Sequence, residues 1–212
     1  MIYHPLCWQT AFQFDLMSQC IGVGCWVTTR DGMVVFVENA AWKGEQACKV
    51  DRPGGHAEPS ECVAEEGDTE AMARISAIEV RRELFDCIRR EVRDEVNIAT
   101  ELQSQPELLG IVYNHERGGR LCRFQKQDKI NKLNVIFLAL DFLIQCSADS
   151  TKIRELYDQG GEETDESTDL FFVKLKDIKS DKLEQSFIRR FTPHCAASFH
   201  LLKERLKYDL SH

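Results

Sequence analysis

The sequence of 212 residues predicts a mixed α/β fold, and three observations carry that prediction. Two short apolar runs at residues 22–29 and 34–38 show the pattern of a β-hairpin. A long helical pattern follows at residues 71–96, with apolar side chains repeating every three or four positions. Strand-like and helix-like segments then alternate to the end of the chain, which is long enough to bury a substantial core as one domain.

The first predicted elements lead to a glycine pair. Arg30-Asp31-Gly32 is a turn signal that joins the two strands of the hairpin. Residues 40–51 predict a loop, which runs into Pro53-Gly54-Gly55. Because glycine has no side chain, such a pair allows a polyanion or a metal ion to approach the backbone closely.

The predicted helix carries an apolar face and an acidic flank. The apolar face holds four residues at helical spacing: Phe85, Ile88, Val92 and Val96. The flank beside it holds Glu91, Asp94 and Glu95. Like charges so close repel by about 4 kcal/mol per pair where water is partly excluded. Such a flank is often only a solvated surface, but a helix that binds divalent cations benefits from it, because hard cations prefer oxygen ligands.

The remaining elements follow from apolar runs and turn signals. Residues 116–120 predict a turn, and Gly160-Gly161 ends a short helix. Further strands are predicted at residues 108–114, 135–147 and 170–175, and further helices at residues 151–159 and 195–208.

These motifs together resemble the Nudix hydrolases, whose signature reads G-x5-E-x7-R-E-U-x-E-E-x-G-U, with U aliphatic. Gly55 and Glu61 match its first half, and the segment from Arg90 to Ile98 matches its second half. The chain departs from the pattern at Asp94, which replaces a glutamate, and at Asn97, which replaces the glycine. Asn also enters left-handed geometry readily, so a helix C-cap is expected there. A larger departure is that 28 residues separate Glu61 from Arg90, where the pattern has seven.

Further segments resemble the UDP-glucose diphosphatase branch of this superfamily, in order along most of the chain. They are Pro53-Gly54-Gly55-His56, Arg82-Glu83-Leu84-Phe85, Leu108-Leu109-Gly110-Ile111, Gln145-Cys146-Ser147 and Glu166-Ser167-Thr168. The resemblance implies a Nudix-type α/β/α sandwich with a mixed β-sheet over residues 21–212. Residues 1–20 have no assigned counterpart, and insertions are expected near residues 62–80 and 121–137; the second is either a lineage-specific loop or a segment of an alternative transcript.

The resemblance also implies roles for individual residues. Glu91 and Glu95 are expected to bind magnesium, which manganese can replace, with Asp94 and the Gly55 carbonyl group completing the site. Glu91 and Glu95 thereby act in catalysis together with Glu166, the expected base, for which Glu163 is the alternative. Gly54, Arg90 and Glu61 are expected to shape or orient the site.

The implied activity is magnesium-dependent hydrolysis of the pyrophosphate bond of UDP-glucose or UDP-galactose to UMP and the sugar 1-phosphate. The alternatives are another nucleoside diphosphate conjugate, such as ADP-ribose or coenzyme A, or a Nudix fold that only binds nucleotides. The intact carboxylate set favours an enzyme over a binding module.

Composition limits the partners. A net charge of -8 and a pI near 5.3 argue against nucleic-acid and anionic-membrane binding, which leaves a small-molecule nucleotide-sugar substrate. The nine cysteines form no C-x-x-C pair, which favours reduced thiols in an intracellular, cytoplasmic protein over a zinc site. No signal peptide or membrane-spanning run is evident. Composition does not indicate an oligomeric state.

Overall fold

The computed structural model describes residues 21–57, 75–116 and 135–208. The strands are β1 (Ile21–Thr28), β2 (Met33–Asn39), β3 (Val50–Asp51), β4 (Gly54–His56), β5 (Glu107–Glu116), β6 (Val135–Gln145) and β7 (Ser167–Lys174). The α-helices are α1 (Ala77–Val96), α2 (Ser150–Asp158), α3 (Leu175–Lys179), α4 (Gln185–Ile188) and α5 (Pro193–Tyr208). Single turns of 3-10 helix lie at Gly44–Gln46, Thr100–Leu102 and Thr164–Glu166.

The strands form one mixed sheet of seven strands. Its main order is β3-β2-β1-β6-β5, while β4 pairs with β1 and β7 pairs with β2. The β1–β6 pair is parallel, and the other pairs are antiparallel. The mixed sheet that the resemblance implied is therefore confirmed.

Both faces of the sheet are covered by helices. Along β1, Cys25 and Val27 face a core that includes Ile88 and Val92 of α1. Trp26 points the opposite way, as alternation along a strand requires, and contacts Phe199 of α5, with 5.7 Å between the ring centroids. This two-sided burial is the α/β/α sandwich that the resemblance implied.

Helix α1 has well-formed ends. The Ser76 hydroxyl accepts a hydrogen bond from the Glu79 N–H, and the Glu79 carboxylate accepts one from the Ser76 N–H. This capping box starts the helix at Ala77, later than the predicted residue 71. Asn97 adopts left-handed geometry (φ 57°, ψ 35°) and is the expected C-cap.

Some short elements differ from the sequence prediction. The glycine pair lies in strand β4 rather than in a loop, because pairing with β1 overrides the low strand propensity of glycine. Helices α3 and α4 were not predicted; each is too short for a clear periodic pattern. The last three residues of the predicted 121–137 insertion, residues 135–137, belong to β6 and pair with residues 114–116 of β5.

Several predictions fall on parts of the chain outside the described residues. These parts are the unassigned residues 1–20, the rest of the 121–137 insertion and most of the 62–80 insertion. Glu61, which precedes that insertion, also lies outside the described residues. Within the described part, no helix combines the length and the apolar character needed to cross a membrane.

Candidate active site

The glycine pair places β4 against the sheet and next to helix α1. A Cβ atom on Gly54 would lie 2.3 Å from the Val23 carbonyl oxygen of β1, so a larger residue would push the strands apart. A Cβ atom on Gly55 would lie 2.2 Å from Glu91 Oε1. Glycine at both positions therefore lets the backbone of β4 and the Glu91 carboxylate approach each other.

Glu95 is the most deeply buried carboxylate of the acidic flank, with 5% of the residue exposed. Its Oε2 atom accepts a hydrogen bond from the Gly54 N–H at 3.0 Å. Glu91, one helical turn earlier, is half-buried between Gly55 and the Cys87 thiol, whose Sγ lies 3.8 Å from Glu91 Oε1. Helix α1 thus brings two of the predicted metal ligands next to the glycine pair in strand β4.

Burial and mutual repulsion disfavour the ionised forms of these carboxylates. Burial raises the pKa of Glu95 to about 8, against the opposing effects of Lys43 and the Gly54 N–H. Burial raises the pKa of Glu91 to about 7, and the negative charges of Glu163 and Asp94 raise it further. The pKa of Glu163 is raised by burial and by the charges of Glu166 and Asp94. A divalent cation would relieve this repulsion.

Asp94 lies at the edge of the cluster. Its carboxylate accepts two hydrogen bonds from Arg93, at 2.6 and 2.9 Å. Its backbone carbonyl accepts a hydrogen bond from the Glu163 N–H at 3.1 Å, which ties the segment before β7 to the end of α1. The single 3-10 turn that follows carries Glu166, so the structure brings both candidate bases to the acidic flank.

A lysine that the sequence analysis did not single out lies among these groups. The Nζ atom of Lys43 is 2.6 Å from Glu166 Oε2 and 3.7 Å from Glu95 Oε1. Lys43 belongs to the loop between β2 and β3, more than 50 residues from Glu95 in sequence. No local pattern marks it, because its partners are brought to it by the sheet.

Arg90 contacts a residue of its own helix. Its Nη2 atom donates a hydrogen bond to Glu83 Oε1 at 2.7 Å, and Glu83 is buried. The two residues are seven positions apart, which is two helical turns, so helical spacing could have identified this pair. The contact holds Arg90 along α1.

A buried charge network anchors the start of the glycine segment. Arg52 donates from Nε to Asp141 Oδ1 at 2.5 Å, and Asp141 is fully buried in β6. The same oxygen accepts a hydrogen bond from Ser198 Oγ of α5 at 2.5 Å. A Cβ atom on Gly24 would collide with the Arg52 guanidinium group, at 2.4 Å from Cζ. This network, also missed in the sequence analysis, fixes β4 from the opposite side of the sheet.

The donor set suits a hard divalent cation. Glu91, Glu95, Glu163 and Glu166 offer carboxylate oxygens, the ligand type that magnesium prefers. Within residues 21–57, 75–116 and 135–208, no three acidic, histidine or cysteine side chains already converge like the ligands of one ion. Arg93 holds Asp94 and Lys43 lies between Glu95 and Glu166, so a cation would have to replace contacts with basic side chains.

The chain is similar to curated proteins named uridine diphosphate glucose pyrophosphatase NUDT22. It is 33% identical to the protein of Mus musculus over 163 residues, which cover 77% of this chain and 47% of the relative. It is also 33% identical to the Homo sapiens protein, with 77% and 48% covered. The chain thus spans about half the length of the curated relatives that it matches.

The fold is similar to that of the NUDIX domain of Shewanella oneidensis NrtR, solved in complex with ADP ribose. The two share a TM-score of 0.53 at 14% sequence identity, over 96% of this chain and 94% of that one. No family model matches the sequence. The sequence relationship and the shared fold agree: the chain has a Nudix-type fold and is similar in sequence to curated UDP-glucose pyrophosphatases.

Proposed function

We propose that this chain is a magnesium-dependent pyrophosphohydrolase that cleaves UDP-glucose or UDP-galactose to UMP and the sugar 1-phosphate. The observation that carries the proposal is the placement of Glu91 and Glu95 beside the Gly54-Gly55 strand, in a chain 33% identical to curated UDP-glucose pyrophosphatases. The chain covers about half of the length of those relatives. Their activity therefore supports the proposal but does not by itself assign that activity to this chain.

Each residue of the site has a role in the proposed reaction. Glu91 and Glu95 would hold a magnesium ion, and Asp94 and the Gly55 carbonyl group would support it. When bound there, magnesium would supply charge neutralisation of the diphosphate and a lower pKa of the attacking water. Glu166 accepts the proton of that water, and Glu163 is the alternative base. Gly54 donates its N–H to Glu95 and so fixes the carboxylate in place.

Arg90 and Glu61 act at a distance from the substrate in this proposal. Arg90 pairs with Glu83 along α1 and stiffens the helix that carries the ligands. Glu61, which lies outside the described residues, is proposed to support the loop after β4. A cytoplasmic location would supply both magnesium and nucleotide sugars.

Product analysis tests the reaction directly. The purified chain is incubated with magnesium and UDP-glucose, and the products are separated by ion-exchange chromatography. We expect UMP and glucose 1-phosphate, because hydrolysis between the two phosphates leaves one on each product. UDP and free glucose should be absent, and EDTA should stop the reaction.

A substrate panel separates the alternatives. ADP-ribose and coenzyme A are tested under the same conditions as UDP-glucose and UDP-galactose. Cleavage of ADP-ribose with intact UDP-sugars would contradict the UDP-sugar assignment while leaving a Nudix pyrophosphohydrolase. If no member of the panel is cleaved but nucleotides bind, the chain is a nucleotide-binding module.

A further inference from the structure

Lys43 brings a positive charge into a site otherwise dominated by carboxylates. Its ammonium group contacts Glu166 on the segment before β7 and Glu95 on α1, at 2.6 and 3.7 Å. Its side chain is 22% exposed and that of Glu95 is 7% exposed, so water screens this pair only in part. Lys43 therefore interacts with both a predicted metal ligand and the predicted base.

Backbone hydrogen bonds also join the segments around these contacts. The Ala40 N–H donates to the Glu166 carbonyl oxygen at 2.9 Å, joining the Lys43 loop to the segment before β7. The Glu163 N–H donates to the Asp94 carbonyl oxygen at 3.1 Å, joining that segment to α1. The lysine thus acts on carboxylate side chains whose backbones are already fixed.

We propose that Lys43 is the internal counter-ion of this site, a positioning residue that holds the Glu166 carboxylate in place and that a divalent cation must displace from Glu95. This inference deepens the proposed function and rests on it. A positive charge next to a cation ligand weakens cation binding by repulsion. The same charge keeps the Glu166 carboxylate beside the site, which favours turnover.

The proposal therefore predicts opposite effects on binding and on catalysis when the charge is removed. Magnesium affinity should rise, because the competing ammonium group is gone, while kcat should fall, because Glu166 is no longer held. A merely structural lysine would leave both quantities unchanged or lower both together. Opposite changes in magnesium affinity and kcat therefore distinguish a counter-ion from a lysine with a purely structural role.

The experiment compares Lys43→Met, which keeps most of the length of the side chain without its charge, with Lys43→Arg, which keeps the charge. Magnesium binding to the full chain is measured by isothermal titration calorimetry at pH 8.5, where protons compete least, and kcat is measured with UDP-glucose. We expect Lys43→Met to bind magnesium about tenfold more tightly, since about 1.4 kcal/mol of lost repulsion corresponds to tenfold, and to turn over about tenfold more slowly. Lys43→Arg should stay close to the wild type in both.

Lys49→Met is the matched control. It removes the same charge from the same loop, and Lys49 forms no ion pair with Glu95 or Glu166 among the described residues. It should leave magnesium affinity and kcat unchanged. Circular dichroism checks that each variant is folded. If Lys43→Met does not fold, Lys43→Gln replaces it in the same measurements.

If the wild type binds magnesium normally and folded Lys43→Met binds it no more tightly, the counter-ion role of Lys43 is wrong. The proposed function is not contradicted by that result. If the wild type itself binds no magnesium, the proposed metal-dependent function fails and this inference falls with it.

Discussion

At the scale of single residues, the electrostatics of the candidate site depend on the burial of the Glu95 carboxylate. Its carboxylate receives the Gly54 N–H on one side and lies near the Lys43 ammonium group on the other. A buried carboxylate with these partners is costly to ionise, yet its charge is what a cation needs. Under the proposed function, the burial that makes the ionised Glu95 costly without metal also favours the binding of a cation.

Glu95→Gln should separate these two effects. The amide oxygen of Gln can still accept the Gly54 hydrogen bond, while the charge that binds metal is lost. We expect magnesium-dependent turnover of UDP-glucose to fall by several orders of magnitude. Thermal stability in EDTA at pH 8 should be unchanged or slightly raised.

The control is Glu101→Gln, which removes a charge from an exposed residue in a 3-10 turn beyond α1. It should retain wild-type turnover. Wild-type activity of Glu95→Gln in the same assay would contradict the role of Glu95 as a metal ligand.

The pH dependence of stability follows from the same burial. The pKa of Glu95 is raised to about 8 and that of Glu91 to about 7, from an ordinary value of 4.5. A carboxyl group with a raised pKa stabilises the fold fully below its unfolded pKa, and this contribution is lost as the pH rises through the folded pKa. In EDTA, the Tm should therefore decline between about pH 5 and about pH 9.

Differential scanning fluorimetry of the wild type and Glu95→Gln over that range measures the effect. The variant should show the shallower decline, because it lacks the group with the higher pKa. Equal slopes for the two proteins would show that Glu95 titrates close to its ordinary value.

At the scale of elements, the end of helix α1 links the acidic flank to the segment that carries the predicted base. Asn97 adopts left-handed geometry, and its Nδ2 group donates to the carbonyl oxygens of Leu156 and Gly160, at 2.6 and 2.9 Å. The residue thus ends α1 and also holds the end of α2, just before Glu163. The superfamily signature has glycine here, and asparagine adds these two contacts to the same backbone geometry.

Asn97→Gly and Asn97→Ala should separate geometry from contacts. Both variants lose the side-chain hydrogen bonds, but only alanine also opposes the positive φ angle. We expect Asn97→Ala to be less stable than Asn97→Gly by about 1 kcal/mol. Urea denaturation followed by circular dichroism measures the difference, and a more stable alanine variant would contradict the assigned role of the φ angle.

At the scale of the whole molecule, strands β5 and β6 form a long antiparallel pair whose far ends lie side by side. Glu116 pairs with Val135, and the 18 residues between them lie outside the described part. They include most of the insertion predicted at residues 121–137. Because the two strand ends are adjacent, a tight turn is sufficient to connect them.

Replacing residues 117–134 with a four-residue Gly-Ser linker tests whether this segment belongs to the core. A shorter loop lowers the entropy cost of closure by about 1 kcal/mol, so the shortened chain should fold with equal or higher Tm and solubility. Loss of cooperative unfolding would show that the segment contributes to the core. Comparison of KM for UDP-glucose before and after the replacement shows whether the segment also contacts substrate.

The local features of this protein were predictable from sequence because they depend on short-range periodicity. The spacing of Glu91, Asp94 and Glu95 places them on one flank of α1 wherever that helix lies. Asn97 indicates left-handed backbone geometry that few other residue types adopt, and the glycine pair indicates a close approach of neighbouring groups to the backbone. The hairpin and the main helices follow from the local spacing of apolar residues, whereas the mixed sheet was implied by the resemblance to the Nudix hydrolases.

The partners of those features were decided by the tertiary structure alone. Lys43 reaches Glu95 and Glu166, and Arg52 reaches Asp141 across 89 positions, because the sheet brings these segments together. Burial beside β4 also sets the raised pKa of Glu95, and no local pattern encodes that environment. The sequence by itself determined which face of the helix carries the acidic residues, whereas long-range strand pairing determined which charges surround them. The physical reason is that helical spacing is a property of neighbouring residues, while electrostatic environment depends on everything packed around a group.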